Sequence, residues 1–197
     1  MTDTTPSIDP HRAVLLVMDY QPGIVSRLPD GDELLGRARD AIAEVRRRGV
    51  QVGYVRVGFT DAELAAIPET NKGFSAVAAT GGRQMHADAS ETAVHPVVAA
   101  EPGDIIVRKT RVGAFSTTDL DRQLRERGID TLILAGISTS GVVLSTVRDG
   151  ADRDYRVYVL EDATADPDPE IHEFLIQKVF PRQAYVISIA DLTTLLP

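Results

Sequence analysis

Three groups able to do chemistry stand at matching places in this chain. They are a carboxylate at Asp19, an ammonium at Lys109 and the hydroxyl-rich turn Ser138-Thr139-Ser140-Gly141. Each directly follows a short apolar run: 13–18 before Asp19, 105–107 before Arg108-Lys109, and 131–135 before Gly136 and the turn. Gly58 and Phe59 follow a similar run at 50–57, and Asp162 follows 156–160. A carboxylate, an ammonium and a turn rich in backbone N–H groups can together move a proton and stabilise developing charge. Each also has a plainer use. Asp19 can cap a turn with Gln21-Pro22-Gly23, Lys109 can be a solvated strand end, and the turn can supply N-cap groups to the helix that follows.

Composition removes other chemistries. The chain of 197 residues has no cysteine, so it can make no disulfide, thiolate metal site or cysteine nucleophile. It carries 21 basic and 29 acidic groups, a net charge of −8, with no basic stripe suited to nucleic acid. No apolar run approaches the roughly 20 residues that span a bilayer. The polar start, MTDTTPSIDPHR, has no apolar core of a signal peptide, so a soluble cytoplasmic protein is the expectation. Asp19-Tyr20-Gln21-Pro22-Gly23 stands where a G-x-G-x-x-G fingerprint would be, and neither a P-loop nor a G-x-S-x-G elbow occurs. His11, His86, His95 and His172 lack metal-ligand spacing, although Gln84, His86 and Asp88 alternate an amide, an imidazole and a carboxylate. No metal and no cofactor is expected.

The elements that must position these groups alternate along the chain. Apolar runs without polar alternation suit strands buried on both faces of a parallel sheet, here 13–18, 50–57, 105–109, 131–135, 156–160 and 184–187. Between them lie helical patterns: 32–48, closed by Arg46-Arg47-Arg48 and Gly49; one after Thr118 with Asp121 in its first turn; 142–152; and one after Asp168-Pro169. The basic triplet complements a helix dipole. Strands joined by helices give right-handed βαβ units. The expected fold is therefore a single-domain, doubly wound (Rossmann-like) α/β sheet over 1–197, with helices on both faces. Residues 1–12 read as a polar N-terminal arm. Residues 58–102 read as an irregular excursion, a lid or subunit contact, with short helices near 75–80 and 91–100. Ligands of such sheets bind beyond the strands' carboxyl ends, where the three groups converge.

Three stretches in order resemble the isochorismatase-like (cysteine hydrolase) family: Leu16-Val17-Met18-Asp19-Tyr20-Gln21; Val107-Arg108-Lys109 with Gly113-Ala114-Phe115; and Gly136-Ile137-Ser138-Thr139-Ser140-Gly141-Val142-Val143 with Thr146. The resemblance runs from Ala13 to about Ile189, the excursion excepted. It implies six parallel strands, a homodimer or homotetramer, and a non-proline cis peptide at Ile137–Ser138. Its amide hydrolases use an Asp, a Lys and a Cys. Asp19 and Lys109 match the first two, and the turn is most similar to that of N-carbamoylsarcosine amidohydrolase. The Cys position falls on Val142, whose side chain cannot attack a carbonyl.

Two readings follow. Isochorismatases also dispense with the Cys: their matched Asp protonates a vinyl ether and water attacks the resulting cation. A positioned acid supplies roughly 10²–10⁴ in rate, enough for a non-covalent hydrolase. On this reading Asp19 is the acid and Lys109 tunes it and holds a small anionic substrate. The turn 137–141 borders the site, Gln21, Phe59 and Phe115 line the pocket, and Arg111 is a further anion contact. The alternative is a catalytically silent relative that binds a small ligand or serves as an oligomeric scaffold. An amide hydrolase using Ser140 or Ser145 as substitute nucleophile is the third possibility. No nucleic-acid or membrane partner is expected.

Overall fold

The computed structural model describes residues 5–80 and 82–197. Its strands are β1 (Ala13–Met18), β2 (Gln51–Val57), β3 (Ile105–Lys109), β4 (Thr131–Ile137), β5 (Arg156–Ala165) and β6 (Tyr185–Ile187). They pair in parallel in the order β3-β2-β1-β4-β5-β6. The helices are α1 (Pro22–Val25), α2 (Gly31–Arg47), α3 (Asp61–Ala65), α4 (Lys72–Thr80), α5 (Leu120–Glu126), α6 (Leu144–Asp152), α7 (Pro169–Phe174) and α8 (Ile189–Leu195).

The continuous apolar runs have the cause expected of them. Every residue of β1 and β4 is buried, because the two strands are the sheet's centre and both faces are covered. Ala13, Leu15 and Val17 pack with Leu34, Ala38, Ile42 and Val45 of α2 and with Leu192 of α8. Val14, Leu16 and Met18 pack on the other face with Leu120 and Leu124 of α5 and Val147 of α6. The sheet is thus wound on both sides, as the alternation of elements requires. Gly49 ends α2 with φ 78°, and the preceding arginines pair with Glu44, Glu101 and Asp104 rather than presenting a free basic patch.

Four local expectations change. Residues 1–4 of the polar arm lie outside the described residues, and 5–12 are docked rather than free: Ile8 is buried, its N–H donates to Leu195 O at 2.8 Å, and Tyr158 OH donates to Pro6 O at 3.0 Å. The helix after Thr118 starts two residues later, at Leu120, whose N–H the Thr118 hydroxyl accepts. Residues 91–100 form no α-helix but short 3₁₀ turns at Ser90–Thr92 and Pro96–Val98. Pro96 lacks the N–H that a continuous helix would use and restricts His95 before it. Finally, β5 runs to Ala165. Its register jumps from Leu134↔Val159 to Gly136↔Thr164, so the segment holding Glu161 and Asp162 bulges out of the ladder.

The excursion folds over the carboxyl end of β2. Val57, Phe59 and Ile67 form a small separate cluster there, packed against Ile24, Leu64, Phe74, Val77 and Met85. Gly81 of this segment lies outside the described residues. Among the described residues no helix is long and apolar enough to cross a membrane.

Candidate functional site

The strand order reverses direction of growth between β1 and β4, the place where sheets of this kind bind ligands beyond their strands' carboxyl ends. Met18 lies opposite Gly136, so Asp19 and the 137–141 turn leave the sheet side by side. Asp19 holds φ 60°, a left-handed conformation that Asp tolerates better than most residues. Its N–H donates to Val55 O at 2.7 Å, and its carbonyl accepts from Gln21 N at 2.8 Å. Lys109 ends β3, two strands away, and reaches across the end of β2. Its Nζ lies 2.8 Å from Asp19 Oδ2 and donates to Arg111 O at 3.2 Å.

Both side chains are almost wholly out of water, with 4% of Lys109 and 6% of Asp19 exposed. The second carboxylate oxygen, Oδ1, is buried with no hydrogen-bond partner. Burial dominates the acidity and pushes the Asp19 carboxyl up to about 6, with the charge and hydrogen bond of Lys109 opposing it. The pair therefore holds a carboxyl able to carry a proton near neutral pH, with one oxygen that no protein group satisfies.

The turn is built around close approach. A side chain at Gly136 would come within 2.9 Å of Val143 Cγ2, and one at Gly141 within 2.8 Å of Ser138 Oγ. The Ile137–Ser138 peptide is cis, and Thr139–Val143 form a wide π-helical turn that leads into α6. Thr139 is fully buried, its Oγ1 2.8 Å from His172 Nδ1. Asp166 Oδ2 accepts both the N–H of Ser140, at 2.8 Å, and its hydroxyl, at 2.6 Å. Val142 is buried in the cluster that holds Met18 and Val143.

The residues expected at the site divide. Asp19, Lys109 and the turn 137–141 do share one end of the sheet. Gln21 is buried and its amide is used by backbone: Nε2 donates to Val57 O and Thr92 O, both at 2.7 Å, and Oε1 accepts from Val57 N at 2.8 Å. Phe59 is buried in the small cluster under the excursion, with its ring edge-on to Phe74 at 6.0 Å. Arg111 lies over Phe74 of α4, 5.4 Å from the ring centre, and donates to Thr110 O at 2.6 Å.

Two expectations are overturned. Phe115 forms no wall of the crevice. It stacks on Tyr155 at 5.9 Å and lies near Gly150, at the far end of α6 and the start of β5. Asp162 does not converge on the site either, because the bulge turns it aside and both its oxygens accept from Ile189 N, at 3.0 and 3.1 Å, at the start of α8. Neither serine takes the place of Val142: the Ser140 hydroxyl donates to Asp166, and Ser145 packs against Gly113. Asp166 and His172 escaped the sequence because nothing local marks them; only the fold brings 166–172 against 139–140.

A cavity of about 300 Å³ opens beside the pair, lined by Gln21, Arg27, Val57, Val77, Gln84 and Glu91 among others. It shares Gln21 with the Asp19 turn, but Asp19 and Lys109 do not line it. Among the described residues Arg27 makes no ion pair, and no cluster of three His, Asp or Glu is placed to hold a metal.

A family profile described as an isochorismatase domain matches residues 13–191. An uncharacterized isochorismatase family protein of Bacillus subtilis is 35% identical over 90% of each chain. A probable isochorismatase of Pseudomonas chlororaphis is 34% identical over 92% of this chain and 85% of that one. Among solved structures, an isochorismatase family protein of Burkholderia thailandensis superposes with a TM-score of 0.83 at 29% identity, covering 98% of this chain and 99% of the other.

Proposed function

The chain belongs to the isochorismatase family of hydrolases, and from that premise we propose that it hydrolyses a small anionic vinyl ether, or a close relative of one, without a covalent intermediate. One observation carries the reading: the buried Asp19 carboxyl, with Oδ2 on Lys109 and Oδ1 without a partner. A buried polar atom left unpaired costs roughly 1–3 kcal/mol, a cost that substrate contact would relieve.

In the proposed reaction the protonated Asp19 delivers its proton to the β-carbon of the vinyl ether. The double bond becomes a C–H bond and the positive charge settles on the ether-bearing carbon and its oxygen. Water adds to that carbon and loses a proton, and the adduct collapses to a carbonyl compound and an alcohol. Asp19 recovers its proton from solvent. Lys109 keeps the acid from rising further in pKa and fixes which oxygen faces the substrate. The non-reacting part of the substrate would occupy the adjacent cavity, where Arg27 supplies a cation for its anionic group.

One N–H of the turn is not available to acyl transfer. Acyl transfer develops an oxyanion, which needs free N–H donors, yet the Ser140 N–H is spent on the Asp166 carboxylate. Val142 at the nucleophile position closes the family's cysteine route, and Ser140, whose hydroxyl donates to Asp166, stands two residues before that position.

The catalytically silent alternative has its own support, since Asp19 and Lys109 satisfy much of each other's charge and can serve as a purely structural pair. A product assay separates the readings. Wild type and Asp19→Asn are incubated with isochorismate, simpler vinyl ethers and a panel of small amides. The proposal expects vinyl-ether hydrolysis by wild type and a fall of about 10²–10⁴-fold in the variant. Turnover of amides alone, equal rates in both proteins, or a ligand bound equally by both with no product would overturn it.

A further inference from the structure

The π-helical turn is closed at its end by the Leu144 N–H, which donates to Thr139 O and Gly141 O. Gly141 N and Val143 N both donate to Ser138 O, at 3.2 and 3.3 Å. Further attachments come from outside, and both come from one short segment, 166–172, which follows β5 and opens α7. Asp166 Oδ2 takes the N–H and hydroxyl of Ser140, while its Oδ1 accepts from Asp168 N at 3.2 Å, so one carboxylate joins the starts of two helices. Six residues on, His172 Nδ1 meets the hydroxyl of fully buried Thr139 at 2.8 Å. Adjacent residues of the turn are thus gripped by separate side chains of one short segment. On the opposite side the turn meets the 110–114 loop, with Val112 4.0 Å from where a Gly141 side chain would begin.

We propose that Asp166 and His172 are positioning residues for the reaction, clamping Ser140 and Thr139 so that the 138–142 turn keeps its place beside Asp19. The inference rests on the reading of this crevice as the reacting site. The clamp ties a wide π turn, a feature common at functional sites, to the segment that opens α7. A helix start leaves backbone donors without partners. Asp166 satisfies one of them from outside the helix, and His172 orients the neighbouring hydroxyl. Neither side chain touches Asp19 or Lys109, so each acts only through the turn.

The test combines kinetics with a readout that needs no substrate. The variants are His172→Ala, His172→Asn, Asp166→Ala, Thr139→Val and the double variant Thr139→Val with His172→Ala. Asn sets a side-chain nitrogen close to the place of Nδ1 and is the conservative rescue. With the vinyl ether turned over by wild type, His172→Ala and Asp166→Ala are each expected to lower kcat about tenfold with KM within about twofold, since an ångström of misplacement can cost about 10². His172→Asn should recover most of that loss, and the double variant should be no worse than either single change, the signature of one shared contact. In ¹⁵N-labelled protein the amide signals of Ser140, Gly141 and Val142 should be single and sharp in wild type and His172→Asn, and broadened or doubled in His172→Ala and Asp166→Ala.

The proposal is overturned if kcat stays within twofold in both alanine variants, if His172→Asn is as impaired as His172→Ala, or if the turn amides are unchanged throughout. Should wild type turn over no vinyl ether, the reading of the site fails, and the amide signals still decide whether the clamp exists. Should Asp19→Asn abolish turnover while the alanine variants do not reduce it, the reading stands and the clamp alone is lost.

Discussion

Asp19 and Asp162 both follow a buried apolar run on neighbouring parts of the sheet, and both look equally placed to enter the crevice. Their surroundings separate them. Asp162 gives both oxygens to one backbone N–H at the start of α8, on a stretch of β5 that has left the ladder. Asp19 gives one oxygen to Lys109 and keeps the other without a partner, almost entirely out of water. A carboxylate whose hydrogen-bonding is completed by backbone is finished as a structural part. One left incomplete in a dry site is a candidate for chemistry.

The contrast breaks most visibly in turnover. Asp19→Asn is expected to lose about 10²–10⁴-fold in kcat, whereas Asp162→Asn should stay within twofold of wild type in the same product assay. Comparable losses in the two variants would erase the distinction.

The next effect is on stability against pH. Burial holds the folded Asp19 carboxyl at about 6 against an ordinary 3.8, so the unfolded chain gives up its proton first as pH rises. The favourable contribution of this group is complete below the unfolded value and is lost as pH climbs through about 4 to 6, by about 3 kcal/mol in total. Denaturant midpoints of wild type should therefore fall relative to those of Asp19→Asn between pH 4 and 7. A constant difference over that range would contradict the assignment. Activity that depends on the protonated acid should decline over the same interval. Lys109→Met, which removes the opposing cation, should move that decline to higher pH in a rate profile, together with a loss of stability measured by thermal melting.

The smallest effect belongs to Asp162. Losing a helix-start acceptor costs about 1 kcal/mol, so Asp162→Ala should lower the melting temperature by about 2–4 °C and leave the pH dependence of turnover as it was.

The same pair of aspartates marks what could be read in advance. The sheet was legible because strands covered on both faces must be apolar throughout, and 13–18 and 131–137 are. Asp19 and Lys109 were legible because a parallel sheet sends the residues after its strands to one edge. Asp162 was misread because a register jump has no hydrophobic signature: the pattern shows where β5 starts but not that it resumes after a bulge. Phe115 was misread because an aromatic residue just past a strand can turn either way, and here Tyr155 draws it to the opposite end of α6. The partnership of Asp166 and His172 with the turn spans 26 and 33 residues of chain, beyond any local periodicity.

The left-handed backbone at Asp19, φ 60°, narrows how this lineage of sequences can drift. Asp and Asn enter that conformation readily, while Glu and most other side chains do so at greater cost. Lengthening the acid by one methylene, the simplest single change that retains a carboxyl, therefore meets resistance from the main chain before it meets any from the pocket. Changes in acid strength are left to the neighbours: to Lys109, and to whatever the excursion lays over the pair. Adaptation to a new substrate or a new working pH should accordingly collect around residue 19 while that residue itself stands still.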